Sequence, residues 1–347
     1  MQHLWLRHET RQTERRAALV PDDARRLVEA GVTVTVEESP QRIFPIEQYR
    51  AAGCRIEPAA HWFDAPADNV VVGLKELPVL PATLRHRHVY FGHAYKNQED
   101  APELLRRFVM GGGTLLDAEY LTDEGGRRLA TFGFWAGYLG AALAVLRFRG
   151  RLDVPLHPYE KKDLDVALAP RPGDPVPRVL VIGAQGRCGH GARAALEAAG
   201  IEPTCWDVAE TRVMDRAGLL DHDVLVNTVA VSTPIPPFLT HVELNDDARR
   251  LSVICDVTCD VTSECNTLPI YERVTSWPDP VVRLRGGDRP LALIAIDNLP
   301  SLLPREASLD FSAQLTPLLT QLDPPSDVWR RAEERFRTAT TLRTADV

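Results

Sequence analysis

Lysine is nearly missing from this chain. Of its 40 basic residues, 36 are arginine and only Lys75, Lys96, Lys161 and Lys162 are lysine. Positive charge is not in excess either, because 48 acidic residues leave a net charge of −8. That balance disfavours a general nucleic-acid or membrane-surface binder. Long apolar runs are lacking, since the longest, Phe132 to Leu146, is too short to span a bilayer. Cysteine is scarce, six in 347 residues, which points to thiols in a reducing compartment and not to a disulfide framework. The N-terminus is charged from Arg7 onward and does not read as a secretory signal. Low-complexity tracts and repeats of solenoid period are absent as well. These exclusions lead to the expectation of a soluble cytoplasmic enzyme of about two domains. The arginine bias itself follows from GC-rich codon usage. Under such a bias, a lysine that persists can mark a place where a proton must come off, which arginine does not allow.

The pattern of what is present is α/β. Leu4–Leu6 and Val32–Val36 read as strands around a helix opened by Pro21-Asp22-Asp23 and closed by Gly31. Residues 69–74, Val89–Phe91 and Thr114–Leu116 read as further strands, with a helix over Ala101–Met110. Such alternation implies βαβ units and a largely parallel sheet. From Arg127 to Arg149 the spacing predicts one long helix rich in small residues, with Gly133, Gly137 and Gly140 near one face, as a buried crossing between domains. Pro155 to Pro177 reads as a connector. A second α/β unit follows, with strands at Val179–Ile182, Thr204–Trp206, Val224–Val226, Val253–Val257 and Ala292–Ile296, and a charged helix from Val328 to about Arg337.

The sharpest local signal is RVLVIGAQGRCGHG. A buried strand runs into Gly183, Gly186, Gly189 and Gly191 and then into a helix over Ala192–Ala199. Glycines let the backbone approach a pyrophosphate, and the free amides of a helix start attract its charge. The next strand ends in Asp207, where an acid binds the adenosine ribose hydroxyls and repels a 2′-phosphate, so the cofactor expected is NAD. Gly183, Gly186, Arg187, Gly189 and Asp207 are the candidate cofactor residues. Cys255, Cys259 and Cys265 have neither a paired CxxC nor a nearby histidine, so no metal is expected.

Several strings then occur in one order along the chain: ETRQTERRAAL, VVVGLKELP, FGHAYKNQ, GTLLDAEYL, GRRLATFGFWAG, VLVIGAQGRCG and AIDNLPSLLPREAS. Together they resemble the NAD-dependent, L-lysine-forming saccharopine dehydrogenases, within the wider alanine dehydrogenase and transhydrogenase group. The resemblance runs from about residue 4 to about residue 337. It implies two Rossmann-like domains with parallel sheets and a substrate cleft between them. The substrate domain would be discontinuous, residues 1–130 plus 306–347, and residues 131–305 would form the NAD domain. It also implies oxidation of saccharopine, with water and NAD, to lysine and 2-oxoglutarate, reversibly. By the same resemblance Lys75 and His93 are the acid–base pair, tuned by Glu76 and Glu119. Arg16, Lys96 and Arg128 match positions assigned to substrate carboxylates, and Asp297 one near the substrate's amino-bearing end. The expected partners are these small molecules, with no nucleic acid or membrane, in a monomer or small homo-oligomer.

The chain departs from that pattern in places. After Glu9-Thr10 it has Arg11-Gln12 where the family has lysine and proline. Cys188 lacks the cysteine with which fungal members can pair it, and Ala230-Val231 replace a Tyr-Leu pair facing the nicotinamide region, which implies a roomier pocket. The connector before the dinucleotide unit is shorter. GC-rich bacteria generally make lysine by another route. Two alternatives therefore stay open: a relative acting on a different glutamate-linked secondary amine in a specialised pathway, and an inactive cofactor-binding scaffold.

Overall fold

A computed structural model describes residues 2–95 and 100–344, with side chains to residue 341. The chain divides into two compact units, Met1–Thr131 with Pro304–Val347, and Phe132–Leu303. In the first, β1 (His3–Leu6), α1 (Pro21–Glu29), β2 (Thr33–Glu37), α2 (Ile46–Ala51) and β3 (Arg55–Glu57) lead to β4 (Val70–Val72), β5 (Arg87–Tyr90), α3 (Ala101–Gly111) and β6 (Thr114–Asp117). The strands form one six-stranded sheet in the order β3-β2-β1-β4-β5-β6, and every pairing is parallel. Leu4 lies between Val34 and Val70, and Leu6 between Val36 and Val72. Covered on both faces, these central strands are continuously apolar, as a parallel sheet demands.

The second unit opens with α4 (Gly133–Phe148), α5 (Lys161–Leu168), β7 (Val179–Ile182), α6 (Arg187–Ala198), β8 (Thr204–Trp206) and α7 (Val208–Arg212). It continues through α8 (Arg216–Leu220), β9 (Val224–Asn227), β10 (Val253–Asp256), β11 (Val282–Arg285) and β12 (Leu291–Ile294). Its sheet runs β11-β12-β10-β9-β7-β8, parallel except for β11. Val179 and Val181 face the core built on α4 and α6, while Leu180 and Ile182 face a second core containing Phe238 and Leu244. β7 is followed by β8 on one side and β9 lies on the other, which creates a switch point at their carboxyl ends.

The chain then returns to the first unit through α9 (Pro304–Leu319) and α10 (Asp327–Thr344). Two buried serines of α9 tie it to the N-terminal segment. Ser308 Oγ accepts from the Ala17 amide at 2.9 Å, and Ser312 Oγ accepts from Val20 at 3.0 Å while donating to Asp23 at 2.6 Å. Buried and mutually satisfied, these groups explain how residues almost 300 apart in sequence close one domain.

Three expectations need correction. The long helix starts at Gly133 and not near Arg127, because Arg128 forms an antiparallel bridge with Thr122 instead. All of it packs within the second unit's core, so it is an element of that unit and not a crossing. The stretch read as a connector contains α5, whose Leu164 and Leu168 are fully buried and whose Lys161 pairs with Asp165 at 2.5 Å. Leucines four apart mark a helix face, and the prolines on both sides concealed it.

Candidate active site

In the first unit the candidate residues gather at the carboxyl ends of the parallel strands. Leu74 and Lys75 follow β4, and their backbone is clamped from β1's extension. The Glu9 carboxylate is buried and accepts from the Leu74 amide at 2.7 Å and the Lys75 amide at 3.0 Å. Arg7, itself buried, pairs with Glu9 at 3.2 Å and donates to the Lys75 carbonyl. Lys75 is half-buried, and its ammonium helps hold the nearby Glu14 and Glu76 carboxylates in their charged form.

Glu76 is gripped by Arg11 through two parallel bonds, Nε to Oε1 at 2.9 Å and Nη2 to Oε2 at 3.1 Å. Partial burial would raise the Glu76 pKa, but the Arg11 fork, a backbone hydrogen bond and the Lys75 charge together outweigh it and the net direction is down. The residue that departs from the family pattern is thus the direct partner of a proposed tuning carboxylate.

His93 follows β5 and is held in the left-handed region at φ 49°. A non-glycine residue there costs roughly 1–3 kcal/mol, a strain that recurs at functional sites. Its Nδ1 lies 3.2 Å from Glu119 Oε2, and its ring stacks near Phe91. Glu119 rides on a short 3₁₀ turn directly after β6, capped by Asp117, whose Oδ1 accepts the Glu119 amide at 3.0 Å. Arg128 reaches the other oxygen of Glu119 at 3.9 Å, with its own side chain half exposed.

Arg16 is different. Its side chain is 3% exposed and is held by Glu14 through Nε at 2.8 Å and Nη2 at 2.6 Å. Lys96 lies outside the described residues. Sequence reasoning missed Glu9, Glu14 and Asp117. For Asp117 the available signal was an acid closing an apolar strand in TLLD.

In the second unit a cavity of about 770 Å³ lies at the switch point, lined by Gly183, Gly186, Asp207, Thr228 and the Ala230–Val231 segment among others. Gly183 takes φ 83°, and a Cβ there would sit 2.6 Å from Thr228 Oγ1. Gly189 and Gly191 have no room for a Cβ: it would lie 2.2 Å from the Gly183 carbonyl oxygen and 1.8 Å from that of Phe134, respectively. At Gly186 a Cβ would meet only the Gly183 oxygen, at 3.4 Å. So Gly183 turns the chain, Gly189 and Gly191 let helices and strand approach, and Gly186 leaves the start of α6 bare. Arg187 begins that helix and is exposed. Asp207 accepts from the Gln185 amide at 2.9 Å, which joins the acid to the glycine turn, and it caps α7. The strand, bare helix start and acid fit a dinucleotide. Ala230 and Val231 line this cavity.

Asp297 is exposed, just after β12 in the second unit. Cys255 is fully buried, with burial pushing its thiol pKa up, and the Cys259 thiol donates to the Asp256 carbonyl at 3.2 Å. Among the described residues, no His, Cys, Asp or Glu cluster is placed to hold a metal ion, and no helix is long and apolar enough to cross a membrane.

This two-unit architecture is that of the alanine dehydrogenase/PNT class. The N-terminal domain model of that class matches residues 5–139 and the C-terminal domain model residues 208–345. An L-alanine dehydrogenase structure superposes with a TM-score of 0.69 at 18% identity, covering 96% of this chain and 93% of that one. A transhydrogenase from Sinorhizobium meliloti gives 0.66 at 17%, covering 92% and 94%. Much nearer in sequence are saccharopine dehydrogenases [NAD(+), L-lysine-forming]. That of Neurospora crassa is 44% identical, with 96% of this chain and 95% of the relative covered. Those of Candida glabrata and Emericella nidulans are 42% and 41% identical, with coverage of 96% and 95%, and of 99% and 99%. The chain belongs to the NAD-dependent, L-lysine-forming saccharopine dehydrogenase family.

Proposed function

We propose that this chain is an NAD-dependent dehydrogenase that cleaves saccharopine, with water, to lysine and 2-oxoglutarate, and runs the same reaction in reverse. The observation that carries the reading is full-length similarity at 44% identity in a chain that keeps Lys75 beside Glu76 and His93 against Glu119. NAD, when bound, would supply the acceptor for the hydride that leaves the glutamyl α-carbon. Before that transfer the secondary amine must lose its ammonium proton, and Lys75 is the base assigned to it. The imine left on the substrate gains water and collapses to a ketone and an amine, with His93 carrying the protons, oriented by Glu119. Overall, saccharopine, NAD⁺ and water yield lysine, 2-oxoglutarate, NADH and a proton. Arg128 is the main cation for the substrate's carboxylates, with Lys96 and the Glu14-paired Arg16 as further ones and Asp297 toward the amino-bearing end. Gly183, Gly186, Arg187 and Gly189 would hold the pyrophosphate, and Asp207 the ribose.

The test is NADH absorbance with NAD and saccharopine, beside the reverse mixture of lysine, 2-oxoglutarate and NADH. Turnover in both is expected. Silence with saccharopine while NADH binds supports the second reading, a different glutamate-linked amine, which the Arg11–Glu76 fork favours by changing the family's arrangement at that point.

Asp207→Ala provides a separate check on the cofactor site. It should weaken NADH binding about tenfold or more while leaving NADPH binding much less affected, because the acid both bonds ribose hydroxyls and repels a 2′-phosphate. A general loss of structure would weaken both cofactors alike, so the ratio of the two dissociation constants is the measurement. An unchanged ratio removes Asp207 from the ribose site.

A further inference from the structure

Beneath the His93–Glu119 pair lies a third acid that the reaction scheme above does not use. Asp117 ends β6 opposite Tyr90 and is fully buried. One of its oxygens fixes the Glu119 amide. The other lies under Gly92, 3.4 Å from where a Cβ at that position would stand, one residue from His93. Gly92 has no room for a side chain, because its Cβ would also sit 2.7 Å from Leu115. Asp117 is therefore packed from both sides against the two backbone segments that present the imidazole and its carboxylate.

We propose that Asp117 is a positioning residue that, by capping the Glu119 turn and packing under Gly92, fixes the His93–Glu119 pair in the geometry in which it carries protons. The proposal rests on the reading of His93 and Glu119 as proton carriers. Asp117 touches no substrate in this role. It acts through the turn that it caps.

The electrostatics agree with that geometry. Burial pushes the Asp117 pKa up and the neighbouring Glu119 charge adds to the rise, while the Glu119 and Gly92 amides and His93 offset part of it, so that it stands at about 6. Tyr90 and Tyr95 also feel its charge, and Arg7 faces Tyr90 from the β1 side.

Asp117→Ala should lower kcat for saccharopine oxidation by about tenfold while leaving KM and NADH binding nearly unchanged, and Asp117→Asn, whose amide oxygen can still accept the Glu119 amide, should restore most of that loss. A loss that asparagine does not rescue, or a kcat that neither variant changes, overturns the proposal. If the alanine variant does not fold, hydrogen exchange at the Glu119 amide of the parent decides it: protection like that of the β6 amides supports the cap, and free exchange overturns it. Absence of saccharopine turnover in the parent would count against the functional reading, while the exchange measurement still decides the cap.

Discussion

Lys75→Met should turn over saccharopine at least about a hundredfold more slowly than the parent, while binding NADH almost unchanged. The size follows from losing a positioned general base, a loss worth roughly 10²–10⁴ in rate. The specificity follows from the architecture. Lys75 is held by Glu9 and Arg7 through its backbone amide and carbonyl, so the methionine side chain leaves that clamp intact. The glycine turn and Asp207 belong to the other unit. Methionine matches the length of the lysine stem and carries no proton, which keeps the local packing close to native. Stopped-flow NADH oxidation and NADH fluorescence titration together check the claim. A variant retaining most of its rate would move the base elsewhere, and His93 would be the next residue to test. A variant that also lost NADH would indicate a structural lesion instead.

What could be read from residues alone follows a physical boundary. The β7 strand, its glycines, the helix and Asp207 are a local device, with all parts within about thirty residues, and each leaves its own mark on the sequence. The apolar strands are legible for a similar reason, since parallel strands buried on both faces must be continuously hydrophobic. The buried ion pairs are not local. Nothing near Glu9 says that its carboxylate will hold the amides of Leu74 and Lys75, some 65 residues away. Nothing around Arg16 says that Glu14 will take its fork in a buried site. Arg11 shows the reverse. Its departure from the family pattern was visible in the sequence, but its bidentate partner Glu76 emerges only when the N-terminal loop meets the segment after β4. Helix α5 was concealed by its proline-rich surroundings, although Leu164 and Leu168 had the spacing of one buried face.

Gly191→Ala and Gly186→Ala should separate folding from cofactor binding within a single turn. At Gly191 the new methyl would stand 1.8 Å from the Phe134 carbonyl oxygen and 2.9 Å from the Tyr138 amide nitrogen, both backbone atoms of α4. Gly137, on α4, faces Cys188 of α6 just as closely, with a Cβ 1.7 Å from the Cys188 carbonyl oxygen. The two helices are thus in backbone contact at both positions, and neither can yield by turning a side chain. Since interiors tolerate even one extra methylene poorly, the alanine should cost about 3 kcal/mol. Moving α6 off α4 would also displace its N-terminus, so cofactor binding should fail along with stability. Gly186 is the opposite case. Its φ of −77° suits alanine, and its methyl meets nothing nearer than the Gly183 oxygen at 3.4 Å. That variant should melt with the parent yet bind NADH at least about tenfold more weakly, because the methyl occupies the approach to the pyrophosphate. Denaturant unfolding and NADH titration on both proteins read the contrast. Equal stability for Gly191→Ala would refute the helix contact, and full NADH affinity for Gly186→Ala would remove the phosphate from the start of α6.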